Sequence, residues 1–199
     1  MTLKDIEKTY EIKFPVKWWE IYSKGMMEWM EIGIEEFNEK REEYIYNPQS
    51  FFMMRCDCEP LFFDEIPERM EELKEWISWR EEDEGLVFDE DLKLIPFAQT
   101  CGGDLYCFLY ENAVSEPKVV VYLHDVYDDP QLEANSFEEF LYVELLASAS
   151  WEGDIDNEYW RAHYELLSEE YKNKIGNRSA RELAEEIETC ECKSISIWK

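Results

Sequence analysis

The sequence predicts an α+β fold: a central, mainly antiparallel sheet flanked by helices, with a C-terminal helical extension. Three observations carry that expectation. Short β-branched or aromatic runs over 92–97, 104–110 and 118–123 are separated by turn signals, the pattern of a meander rather than of βαβ units. Stripes at helical spacing lie on both sides of them. The 199 residues are 45% apolar and 16% aromatic, enough for one sizeable core and too rich for a disordered chain.

Thr2-Leu3-Lys4-Asp5 reads as a helix start, followed by Leu3, Ile6 and Tyr10 at helical spacing. Phe14-Pro15 ends that segment, and Pro15 suits the opening of a second helix over 16–24, with Gly25 where a left-handed cap would sit. In 26–60, residues 33–46 look helical and 50–55 read as a buried strand or an apolar loop. Ile66, Met70, Leu73 and Ile77 then put one apolar face on a helix whose other faces carry carboxylates, with Pro67 in its first turn and its end before Gly85.

The second and third strand runs are apolar on both faces and so belong at the centre of the sheet, covered by helices. They are punctuated by Gly102-Gly103-Asp104, read as a structural turn in which glycine permits positive φ and the aspartate bonds the turn, and by 112–117. Ser136-Phe137-Glu138-Glu139 is a capping box, and Phe137, Phe140, Leu141 and Leu145 supply the stripe behind it. After Trp151, the residues Trp160, Tyr164, Leu167 and Tyr171 fall at helical spacing. A further box at Ser179–Glu182 opens a helix with Leu183 and Ile187, and 194–198 alternates like an edge strand. The expected organisation is an α+β domain over 1–150, with an acidic insertion near 26–91, and an extension over 151–199 docked on the same core.

Charge narrows the function. Asp and Glu total 48 against 20 Lys and Arg, a net charge of −28, which repels nucleic acid and anionic lipid and speeds association with a basic protein. Residues 64–91 hold 13 of the acidic residues and three basic ones, so the charge is concentrated. Met1-Thr2-Leu3-Lys4-Asp5 is not a basic region leading into an apolar run, and no stretch approaches the ~18 apolar residues of a membrane span. The expectation is a cytoplasmic protein with reduced cysteines.

Catalytic and metal-binding candidates are weak. Cys56-x-Cys58 and Cys190-x-Cys192 could supply four thiolates, but the one-residue gap is not that of a zinc knuckle, and the expectation is no metal. His124-Asp125 at a strand end could move protons, yet neighbours on a strand point to opposite faces. Cys101 on its glycine turn lacks a third group and an oxyanion hole. The aromatic stretches Trp18-Trp19, Trp76-x-x-Trp79 and Phe51-Phe52 read as core, or as interface anchors where exposed. No enzymatic activity and no cofactor are expected.

The order of segments adds a resemblance. Ile6-Glu7-Lys8 through Phe14-Pro15-Val16-Lys17-Trp18-Trp19-Glu20-Ile21-Tyr22 resembles the opening of the SUKH superfamily, Smi/Knr type. Leu94-Ile95-Pro96-Phe97-Ala98, Gly102 to Phe108, Val119 to Asp125 and Ser136 to Leu141 resemble its second block, in order. Ser23-Lys24-Gly25-Met26 departs from the Asn-Gly-Gly that often follows the second helix. The resemblance implies an α+β fold without catalysis and, in bacteria, an immunity protein that neutralises a cognate polymorphic toxin, many of which are nucleases. It also implies an alternative, the regulatory scaffold or adaptor of the eukaryotic relatives. The expected partner is a cognate basic protein toxin, met by a monomer or weak dimer. The candidate contact residues are Glu72, Glu75, Glu81, Glu82, Asp83, Glu84, Asp89, Glu90 and Asp91.

Overall fold

A computed structural model describes residues 1–54, 57–111, 116–152, 155, 157–188 and 193–199, of which 150–152 and 187–188 are described by backbone alone. Cys56, Cys190 and Cys192, most of the 112–117 turn, and the side chains of Trp151 and Ile187 therefore lie outside the described residues. No helix among them is long and apolar enough to cross a membrane.

Helix α1 (Leu3–Tyr10) starts at the expected place, with the Thr2 hydroxyl and the Asp5 carboxylate capping each other, and ends at Glu11 in a left-handed conformation, φ 52°. Helix α2 (Val16–Ser23) follows Pro15, and Gly25 takes φ 74° just beyond it. The stretch expected to be one helix over 33–46 is two, α3 (Ile34–Glu39) and α4 (Arg41–Ile45), broken at Lys40. Residues 50–54 form an apolar loop and not a strand. Its backbone is tied to distant segments: the Phe51 N–H donates to the Met26 carbonyl at 2.8 Å, the Phe51 carbonyl accepts the Trp29 indole N–H at 3.0 Å, and the Met54 N–H donates to Glu144 at 3.1 Å.

Strand β1 (Glu59–Pro60) precedes the acidic helix α5 (Ile66–Glu84), which stops at Gly85 with φ 69°, as its pattern requires. Strands β2 (Lys93–Gln99), β3 (Leu105–Tyr110) and β4 (Lys118–Tyr122) occupy the three expected runs. Strand β5 (Gln131–Ala134), helices α6 (Phe137–Glu152), α7 (Glu158–Tyr164), α8 (Glu169–Ile175) and α9 (Ala180–Glu188), and strand β6 (Lys193–Ser194) complete the chain. The Trp160–Tyr171 stripe thus spans two helices. The α6 capping box is also shifted: Ser136 accepts the Glu139 N–H at 3.1 Å, but the Glu139 carboxylate takes the N–H of Asn135 at 2.6 Å rather than that of Ser136. The second box closes as expected, Glu182 taking the Ser179 N–H at 2.8 Å.

All pairings are antiparallel and the strand order is β1-β2-β3-β4-β5-β6. Pro96, which has no N–H for a ladder, sits at a bulge in β2, where the register steps from Pro96 to Ala98. The two-residue period of a strand distributes β3 between two cores. Tyr106, Phe108 and Tyr110 join a large cluster built on α2, α6 and Trp18, while Leu105, Cys107 and Leu109 join a smaller one under Leu73, Trp76 and Ile77 of α5 and Ile197 near the C-terminus. Trp160, Leu166, Ile175 and Leu183 of the C-terminal helices are buried in the large cluster.

Two buried titratable groups give the fold a pH dependence. Glu7 accepts the Trp19 indole N–H at 2.8 Å, the Phe14 N–H at 2.9 Å and the Lys13 ammonium at 2.9 Å, joining α1 to α2 across the Pro15 bend. Burial pushes its carboxyl up, but the Trp19, Lys13 and Phe14 bonds outweigh it and hold the group below its ordinary 4.5. Its stabilisation is therefore complete above 4.5 and lost as the pH falls through the lower folded value. His163 lies between the carbonyls of Tyr159, 2.9 Å, and Phe52, 2.6 Å, and burial holds its imidazole below 6.5 despite them. The unfolded chain takes up that proton first, so stability begins to fall below 6.5. Urea titrations should show loss in both windows. Glu7→Gln should cost about 1–3 kcal/mol at neutral pH and flatten only the lower one; an unchanged acid limb in that variant would contradict the assignment.

Candidate partner-binding surface

The carboxylates expected to meet a partner divide into two groups. Glu72 pairs with Arg69 at 2.7 Å, and Glu84 with Arg80 at 3.0 Å. Glu81 accepts the Phe88 N–H at 2.9 Å, and Asp83 accepts the Tyr127 hydroxyl at 3.0 Å, pushing that phenol up. Asp89 accepts the Asp91 N–H at 3.1 Å and the Lys199 ammonium at 3.1 Å, which hold its carboxyl low. These five shape the surface. Glu75, Glu82, Glu90 and Asp91 are exposed, and their side chains make no direct hydrogen bond or ion pair among the described residues, although Glu90 and Asp91 add to the field around Lys199.

Electrostatics within α5 run against helix stability. Its last turn contains Glu81, Glu82, Asp83 and Glu84 and no basic residue, although the partial negative charge of a helix C-terminus disfavours anions there by about 0.3–1 kcal/mol each. Such a local conflict is expected where a surface serves something other than the fold.

Trp79 lies within this stripe, four residues after Glu75 and four before Asp83, so all three share one face of the helix. It is 55% exposed. Opposite it, the β4–β5 connection exposes Val126 at 41% and Tyr127 at 58%. Trp76, Trp79, Arg80, Tyr122, His124, Asp125 and these two residues line a cavity of about 230 Å³. Arg80, buried at 6%, holds the connection in place: its guanidinium donates to the carbonyls of Asp128 at 2.6 Å and Tyr127 at 3.0 Å, and lies 4.8 Å from the Trp198 ring centre.

The turn Gly102-Gly103-Asp104 adjoins this site. Gly103 adopts φ 98° with its α-carbon against the His124 ring, where an added β-carbon would approach to 3.5 Å. Asp104 accepts the His124 N–H at 3.1 Å and meets Nδ1 at 2.8 Å. Asp125 meets Nε2 at 3.0 Å. The expectation that His124 and Asp125 diverge fails, because both lie beyond the end of β4, where alternation no longer applies. Trp18 is fully buried in the large core, whereas the His124 ring centre lies 5.5 Å from that of Trp76. Among the described residues no group of three His, Cys, Asp or Glu side chains is arranged to hold a metal ion.

Charge concentration was legible in the sequence, but Trp79 and Tyr127 were not separable there from core aromatics. A signal for Trp79 did exist: it falls between Glu75 and Asp83, off the Ile66–Ile77 stripe.

A family model described as SMI1-KNR4 cell-wall, of the SUKH_6 type, matches residues 2–141, running from α1 through α5 and strands β1 to β5 to the first turn of α6. Neither curated proteins nor solved structures give a match.

Proposed function

Because the chain belongs to the SMI1-KNR4 family of the SUKH superfamily, we propose that it is an immunity protein that binds a cognate basic toxin in the cytoplasm and neutralises it by stoichiometric occlusion. The observation that carries this reading is the set of exposed carboxylates Glu75, Glu82, Glu90 and Asp91, engaged in no direct hydrogen bond or ion pair among the described residues, on and beside a helix whose last turn is acidic against its own dipole. A nuclease offers a positive cleft to phosphates, and a field from a chain of net charge −28 draws such a cleft in quickly. Occlusion needs no catalysis from this chain.

The test is co-expression with the product of the neighbouring gene, followed by pull-down and titration of toxin activity. Inhibition should saturate at one chain per toxin. Reversing Glu75, Glu82, Glu90 and Asp91 to lysine leaves every internal bond of the surface in place. It should slow association about 100-fold at low salt and reduce its salt dependence. Unchanged association in that variant would place the contact elsewhere.

A second reading, a non-enzymatic regulatory scaffold or adaptor, is favoured by the exposed Trp79 and Tyr127. Such a protein would hold its partner through aromatic anchors, with binding that depends little on salt. The two readings part on that slope.

A further inference from the structure

We infer that the Trp79–Tyr127 cavity is a receptor for an arginine side chain of the partner; the inference rests on the reading of this surface as a binding face for a basic protein. The cavity has aromatic walls, with Trp79 and Tyr127 exposed at 55% and 58% and Trp76 behind them. Its rim is anionic: Asp125 is exposed and Asp83 is fixed against the Tyr127 hydroxyl at 3.0 Å. Aromatic faces beside carboxylates select a cation, and a planar guanidinium stacks on them while donating to the acids, which an ammonium does less well. A volume of about 230 Å³ admits one side chain rather than a strand or helix.

Among the described residues, Arg80 is the one lysine or arginine of the lining, and its charge does not oppose a second. It is buried, paired with Glu84 at 3.0 Å and bonded to two carbonyls. Its guanidinium carbon lies 4.8 Å from the Trp198 ring centre, a cation–π contact of the kind the cavity would offer an incoming guanidinium. The tyrosine wall is held from two sides, by Asp83 through its hydroxyl and by Arg80 through its carbonyl, so the receptor is formed before the partner arrives.

The whole chain, labelled at indole nitrogens, can be titrated with three capped pentapeptides, Gly-Arg-Gly-Arg-Gly and its Lys and Phe counterparts. The Arg peptide should shift the Trp79 indole resonance saturably and bind about fivefold tighter than the Lys peptide. Trp79→Ala should weaken it about tenfold with no change in melting temperature. Equal affinity for Trp79→Ala, equal affinity for the Phe peptide, or no saturable shift would each overturn the receptor. None of these touches the immunity reading, which stands or falls on toxin association with the lysine-reversed surface.

Discussion

Alanine in place of Trp18 is expected to lower the free energy of unfolding by about 4 kcal/mol, the largest effect of any single substitution considered for this chain. The indole is fully buried where α2 meets the sheet and α6. Its ring centre lies 4.9 Å from Phe137, 5.4 Å from Phe108, 5.6 Å from Phe97 and 5.9 Å from Phe14, with Phe51 at 6.3 Å. Those neighbours come from five separate segments and cannot all close on an alanine. The indole N–H finds no acceptor among the described residues, which adds a second, sharper expectation. Trp18→Phe removes an unpaired buried donor along with some volume, so its cost should stay within about 1.5 kcal/mol. Urea unfolding followed by circular dichroism reads both. Equal damage from the two variants would mean that the N–H is bonded.

Methionine at Arg80 should cost about 3 kcal/mol and also cripple recognition. The stem of the side chain still fits, but the Asp128 and Tyr127 carbonyls lose their donor, Glu84 loses its partner, and Trp198 loses its cation. The β4–β5 connection should then leave the end of α5, carrying Tyr127 away from Trp79. Arg80→Lys keeps the charge but not the fork, and should recover part of the stability and little of the binding. Trp79→Ala is the reverse case, near-neutral for stability because the residue is 55% exposed. If Arg80→Met lost binding yet kept its stability, the guanidinium would belong to the contact itself.

What could be read in advance follows from the range of the forces involved. Helix α5 was legible to its last residue because Ile66, Met70, Leu73 and Ile77 record its packing and Gly85 its termination. The three central strands were legible because burial on both faces leaves continuous apolar runs, as in β3. Strand β5 was not: Gln131-Leu132-Glu133-Ala134 is short and only partly buried, and it pairs because β4 and β6 flank it. The break between α7 and α8 escaped because Trp160, Tyr164, Leu167 and Tyr171 keep helical spacing across it. At the surface, nothing local distinguishes Glu81, which closes on the Phe88 N–H, from Glu82, which faces solvent. Their difference is made by the chain that follows.

Both margins of the sheet are two-residue strands, β1 with Pro60 and β6 with Lys193. A strand that short, carrying an imino acid or a cation, gives a foreign backbone almost nothing to zip onto. Among the described residues, each margin of the sheet thus offers little to strand addition by a second copy of the chain. A partner of the proposed kind would then be gripped by side chains rather than by backbone pairing. Discrimination between rival partners can then change by point substitution on α5 and the β4–β5 connection while the hydrogen-bonded frame beneath is left alone.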